Sequence, residues 1–196
     1  EIQIMEVLNM KRLFSAILMV LIIGTMTLAS GLTAEEDGIV FMREEEKLAR
    51  DVYTVLYEIW NVNVFKNIAE SEQQHTDAVL SLIGEIGLED PVGENDIGVF
   101  TDPELQKLYD ELIEKGSKSL LDAVEVGLLI EEIDIADIEE LLAGEIGSRT
   151  RTVYENLLRG SESHLRAFLR QYEKLAGSYS PEVLSVDRFN EIASAK

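Results

Sequence analysis

Apolar residues recur at helical spacing in every segment from Ile39 to Leu175, and no segment alternates as a half-buried strand would. Glycine, proline and capping residues divide the pattern into segments. The pattern predicts an all-α fold in which four long helices form an up-down bundle with extra short helices. The predicted long helices are 39–60, 64–86, 118–133 and 148–175.

The predicted connections contain several short elements. Residues 88–101 form the longest irregular connection, and Asp102 begins a short helix that ends at Gly116. We expect Ser117 to cap the next long helix. A polar C-terminal tail is predicted at 178–196, with one more helical turn near its middle.

Residues 1–34 are predicted to lie outside the helical domain, which we place at 35–177. A basic start after Met10 is followed by the apolar run Leu13–Leu28 and then by small residues, which is typical of a secretory signal peptide. Residues 1–9 precede Met10, which is itself a candidate initiator. The alternative is an uncleaved membrane anchor. Either way we expect an extracytoplasmic domain, with membrane contact only if the segment is retained.

The charge balance limits the partners. The chain has 38 Asp plus Glu against 17 Lys plus Arg, a formal net charge of -21. Such a field repels nucleic acid and favours cations, so we expect metal ions as partners and no nucleic acid. The absence of cysteine excludes thiolate metal sites and iron–sulfur clusters. The sequence leaves open whether the chain forms a homo-oligomer through its helix faces.

The two histidines are the strongest functional signal. Glu72 and His75 lie one turn apart on a predicted helix, which is the ligand unit of di-iron and di-manganese bundles. His164 lies on the apolar side of the last long helix. Glutamate would be expected three residues earlier, but Ser161 stands there. The simpler interpretation is that Glu72 and His75 form an ion pair. Metal ligation is favoured instead, because other buried carboxylates are predicted to converge on the same place.

The first helix offers two candidate carboxylates. Glu45 projects into the middle of the apolar face, while Glu46 lies at its edge on the same side as Tyr53. Their neighbour Glu44 is expected to be solvated and to compensate the helix dipole. Glu45 and Glu46 both remain candidate ligands.

The third long segment offers two more acidic candidates. Glu131 groups with apolar residues, and Asp134 follows it at the one-turn ligand spacing. Asp134 is equally well explained as the cap of a further short helix that runs to Leu142. With Ser161 in place of glutamate, one carboxylate is missing unless both Glu45 and Glu46 bind.

The chain resembles a known family through four motifs in order: EEEKLARDVY, FKNIAESEQQH, GLLIEEIDIADIEEL and NLLRGSESHLRAF. The resemblance covers about residues 39–175 and is to the ferritin-like family catalogued as domain of unknown function 2202. It implies a ferritin-like bundle with a carboxylate–histidine metal centre. In the related rubrerythrins a glutamate precedes a tyrosine by seven residues on the first helix. Glu46 and Tyr53 have this spacing, which implies that Tyr53 donates a hydrogen bond near the metal.

The leading functional prediction is therefore an exported ferritin-like metalloprotein with one or two ions of iron or manganese, zinc being a further candidate. Its expected chemistry is that of an oxidoreductase acting on oxygen or peroxide, or the oxidation of metal ions. The alternative is a non-catalytic helical module whose buried Glu and His side chains form a structural polar network. A metal-storage shell fits the N-terminal segment less well. The candidate ligands are Glu45, Glu46, Glu72, His75, Glu131, Asp134 and His164.

Overall fold

The computed structural model describes residues 31–195, and every regular element within them is an α-helix. The all-α prediction is confirmed. In the described range no helix is both long and apolar enough to cross a bilayer. Almost all of the predicted signal or anchor segment lies outside the described residues. The helices are α1 Ala34–Trp60, α2 Asn63–Ile86, α3 Pro103–Gly116, α4 Leu120–Ala143, α5 Ser148–Ala176 and α6 Val186–Ser194.

The four long helices form a ring in which α1 and α5 each pack on both α2 and α4. Cross-helix contacts show that neighbours in the ring are antiparallel. Between α2 and α5, for example, Glu85 pairs with Arg149 and Glu72 with His164. The order is therefore up, down, down, up. It differs from the simple up-down order that we predicted, because the connection containing α3 returns along the bundle before α4 begins.

Helix α4 is continuous through Asp134, so the predicted break and helix cap at this residue are wrong. One oxygen of Asp134, Oδ2, accepts a hydrogen bond from the hydroxyl of Ser161 on α5 rather than from a backbone N–H of its own helix. The start of α4 also differs from the prediction. Ser119, not Ser117, caps it by accepting a hydrogen bond from the backbone of Asp122 at 3.1 Å.

Buried charges on α1 hold the connection between α2 and α3 in place. The Glu44 carboxylate accepts backbone N–H bonds from Thr101 and Asp102 at 2.5 and 3.0 Å. Lys47 is fully buried and pairs with Asp51 at 2.5 Å. The prediction that Glu44 is solvated is therefore wrong. Its carboxylate accepts hydrogen bonds from backbone N–H groups in the connection between α2 and α3 that would otherwise have no partner.

The segment after residue 177 packs on the bundle through Glu132. This buried α4 carboxylate accepts backbone N–H bonds from residues 182–184, the shortest at 2.8 Å, and the Tyr179 hydroxyl at 2.8 Å. Phe189 and Ile192 of α6 are buried as well. What we described as a polar tail therefore contributes to the folded domain.

Two apolar layers divide the interior along the bundle axis. At one level Tyr53, Phe65 and Phe168 pack together, with ring centroids 5.1–6.5 Å apart. Further along the axis lies a hydrophobic cluster that includes Met42, Tyr154 and Leu157. The predicted site residues fall between these layers on all four long helices.

Replacing Glu132 with alanine is expected to lower the free energy of unfolding by about 2 kcal/mol, because several partly buried donors lose their acceptor together. Urea unfolding followed by circular dichroism measures this change. The control is Glu139→Ala, which removes only a half-exposed ion pair with Arg188 and should cost less than about 1 kcal/mol. Equal effects in the two variants would contradict a structural role for the Glu132 contacts.

Candidate metal centre

Each of the four long helices contributes to one buried cluster between the apolar layers. Glu46, Glu72 and Glu131 are all at most 2% exposed, although each is a carboxylate. The helical period brings each of them to the inner face of its helix, and the ring of helices brings the faces together. The complete cluster consists of Glu46 from α1, Glu72 and His75 from α2, Glu131 and Asp134 from α4, and His164 from α5.

Glu72 lies at the centre of the cluster, with one imidazole against each carboxylate oxygen. Its Oε2 is 2.7 Å from Nδ1 of His75, and its Oε1 is 2.7 Å from Nδ1 of His164. The two rings are stacked with centroids 5.4 Å apart. The Glu72 carboxylate is therefore placed to bridge two neighbouring positions.

A second carboxylate flanks each imidazole. Glu46 Oε2 is 3.2 Å from His75 Nδ1, and Glu131 Oε2 is 3.6 Å from His164 Nδ1. The Tyr53 hydroxyl donates a 2.6 Å hydrogen bond to Glu131 Oε1. Burial, and then the Glu131 charge, raises the pKa of Tyr53 well above its usual value, so this hydroxyl keeps its proton. The arrangement gives two half-sites that share Glu72. One is formed by Glu46 with His75, and the other by Glu131 with His164.

Several buried ligand-type atoms in the cluster make no hydrogen bond. For Glu72 Oε2 and His164 Nδ1 the 2.7 Å contacts lack hydrogen-bond directionality, so proximity alone does not satisfy these atoms. Leaving such atoms buried and unpaired is costly. A ligand atom from each of Glu72, His75 and His164 lies within 4.8 Å of the others, so this group could hold a metal ion. The unpaired atoms are Glu46 Oε1, Glu72 Oε2, Asp134 Oδ1 and His164 Nδ1.

The pKa values of these side chains show how protons compensate the negative charge of the cluster. Burial raises the pKa of Glu46 to about 7, against the lowering effect of His75. Burial would also raise the pKa of Glu72, but the two imidazoles outweigh it and lower this pKa to about 2. Burial lowers the pKa of each histidine, but the carboxylates outweigh it and raise the pKa of His75 to about 12 and that of His164 to about 10. Protonated imidazoles therefore compensate the negative charge of the acids.

Glu45 lies apart from both histidines. Burial, and then the nearby Asp137 and Asp134, raises the pKa of Glu45 well above its usual value. Its side chain lines a cavity of about 10 Å³, large enough for about one water molecule, together with Leu48 and Asp134. The structure thus brings together all the predicted ligands except Glu45, and on α1 it is Glu46 that contacts His75.

Two residues near the histidines were not predicted from the sequence. The Ser71 hydroxyl is 2.9 Å from Nε2 of His164 and orients that ring. A Cβ added to Gly160 would lie 2.4 Å from Nε2 of His75, so only glycine leaves room for the ring. The sequence did contain a signal for Gly160, because it is a glycine inside a long helical segment. Glycine there lowers helix stability by about 1 kcal/mol relative to alanine, so its presence needs a packing or functional reason.

Fold and site together define an all-helical protein with a buried Glu/His/His cluster that could hold a metal ion. A family model described as an uncharacterized protein domain (DUF2202) matches residues 35–196, and the chain belongs to this family.

The chain is similar to a relative with a solved structure. It is 47% identical over 161 residues to the uncharacterized protein MJ0754 of Methanocaldococcus jannaschii, covering 82% of this chain and 87% of that protein. The crystal structure of hypothetical protein MJ0754 from Methanococcus jannaschii DSM 2661 matches with a TM-score of 0.82 at 46% identity. That match covers 84% of this chain and 95% of the other.

Replacing Gly160 with alanine is expected to displace the His75 ring and to weaken Mn(II) binding about tenfold or more, the order seen when groups that orient a ligand are removed. Isothermal titration measures the affinity. The control is Gly84→Ala on α2, where an added Cβ meets no atom within 4 Å. That variant should gain up to about 1 kcal/mol of stability and bind as the parent does. Unchanged affinity after Gly160→Ala would contradict the prediction that His75 is a ligand.

Proposed function

We propose that the protein is an exported ferritin-like metalloprotein that holds one or two ions of iron or manganese between its four long helices and acts as an oxidoreductase on oxygen or peroxide. The observation that carries the proposal is Glu72, a buried carboxylate with an imidazole nitrogen 2.7 Å from each oxygen. Carboxylate and imidazole donors without sulfur suit iron, manganese and zinc.

The helix order supports the ferritin-like part of the proposal. Ferritin-like bundles have one long crossover connection among four helices, and they build their metal site from inward carboxylates and Glu-x-x-His units. Here the connection between α2 and α4 runs back along the bundle, and Glu72 and His75 form such a unit on α2. The same connection lets α4 run in the same direction as α2 and places α4 beside α1.

The surroundings of the cluster suit redox chemistry. A bound iron or manganese ion would supply the electrons for oxygen or peroxide reduction. The aromatic layer of Tyr53, Phe65 and Phe168 limits water on one side. Tyr53 keeps its proton and holds Glu131 by a hydrogen bond, which fixes that carboxylate for binding.

A second candidate function is a non-catalytic helical module with a structural polar network. The observation in its favour is that His75 and His164 contact carboxylates directly, and that the raised pKa values of both imidazoles keep them charged. In that case the ion pairs stabilise the protein by themselves. Added metal would then have no effect on stability.

Metal content and melting temperature of two histidine variants distinguish these functions. We expect the parent protein to bind Fe(II), Mn(II) or Zn(II) and to melt higher with metal, since ligands stabilise the state that binds them. His75→Ala should lose more metal than His164→Ala, because only His75 completes a Glu-x-x-His unit. Binding should weaken as pH falls, because protons compete for both imidazoles.

The matched control is Gln74→Ala, an exposed position on α2 beside His75 that should leave metal content unchanged. A parent protein that binds none of the three ions, and whose melting temperature ignores them, would establish the polar network instead.

A further inference from the structure

Position 161 departs from the Glu-x-x-His pattern that Glu72 and His75 form. Glu72 lies three residues before His75, whereas Ser161 lies three residues before His164. Di-metal sites of this architecture use four carboxylates and two imidazoles, a single glutamate on each of two helices and a Glu-x-x-His unit on each of the others. Glu46 and Glu131 supply the single glutamates here. The carboxylate that is missing is the one at position 161.

Asp134 reaches the same place from the neighbouring helix. Ser161 is fully buried, and its hydroxyl donates a hydrogen bond to Oδ2 of Asp134. The other oxygen, Oδ1, is buried and has no hydrogen-bond partner. The Asp134 carboxylate therefore lies beside position 161 of α5, three residues before His164. One of its oxygens is held by Ser161 while the other is left free to bind.

The charges of the cluster favour two ions over one. Four ionised carboxylates carry four negative charges, which two divalent cations with neutral imidazoles neutralise. A single divalent cation would leave two of these carboxylates dependent on protons for compensation, because each uncompensated buried ion costs several kcal/mol. The donor set is complete for two ions only if Asp134 belongs to it.

We propose that Asp134 is the fourth carboxylate ligand of a two-ion centre, replacing the glutamate absent at position 161, and that Ser161 positions it. The inference rests on the proposed function and extends it from one or two ions to two. It also assigns to Asp134 the role that the sequence left open between a helix cap and a ligand.

Metal stoichiometry of the full chain tests the inference. Protein stripped of metal is dialysed anaerobically against Mn(II) or Fe(II), and bound metal per chain is measured by mass spectrometry. We expect two ions in the parent protein and one in Asp134→Asn. The matched control is Asp137→Asn, which removes a buried carboxylate one turn further along α4 beside Glu45 and should retain two ions. Adding Ser161→Glu to Asp134→Asn restores the carboxylate at position 161 and should recover the second ion.

The outcomes separate this inference from the proposed function. Two ions of unchanged affinity in Asp134→Asn would overturn the role of Asp134, and one ion in the parent protein would overturn the two-ion centre while leaving a metal site. A parent protein that binds no metal would overturn the proposed function itself. If Asp134→Asn does not fold, Ser161→Ala decides. An affinity for the second ion that falls about tenfold, with unchanged affinity for the first, supports the positioning role of Ser161. Unchanged affinity for both ions overturns it.

Discussion

Charge compensation among six buried ionisable side chains is the interaction on which the centre of this bundle depends. Four carboxylates and two imidazoles meet between two apolar layers, where an unpaired charge would cost several kcal/mol. The Glu72 carboxylate, with an imidazole 2.7 Å from each oxygen, connects the two halves. A small domain stable by about 5–15 kcal/mol requires either protons or cations at this level of its core.

The helix packing and the cluster depend on each other. Gly160 leaves room for the His75 ring, and Gly127 leaves room for Phe168, since an added Cβ would lie 2.4 and 2.6 Å from these rings. Buried charges at the edge of the bundle serve a different purpose. Glu44 holds the crossover and Glu132 holds the C-terminal segment by accepting backbone N–H groups. Backbone donors satisfy those two carboxylates, whereas the central ones have atoms without partners.

Local periodicity accounts for what the sequence predicted correctly. The all-α class and the inward positions of Glu72, His75, Glu131 and His164 follow from helical spacing alone. Two of the errors concern residues whose partners are distant in the chain. Asp134 looks like a helix cap until Ser161, 27 residues later, is seen to bind it. Glu44 looks solvated until Thr101, 57 residues later, is seen to donate to it. Spacing along one helix contains no information about such tertiary partners.

Anomalous diffraction from crystals loaded with Mn(II) or Fe(II) tests the central claim most directly. The account predicts two peaks in the interior of the bundle, one next to Nδ1 of each histidine. Their expected separation is about 3.5–4 Å, as in other two-metal sites. Peaks confined to the acidic surface, with the His75 and His164 rings still against Glu72, would contradict it.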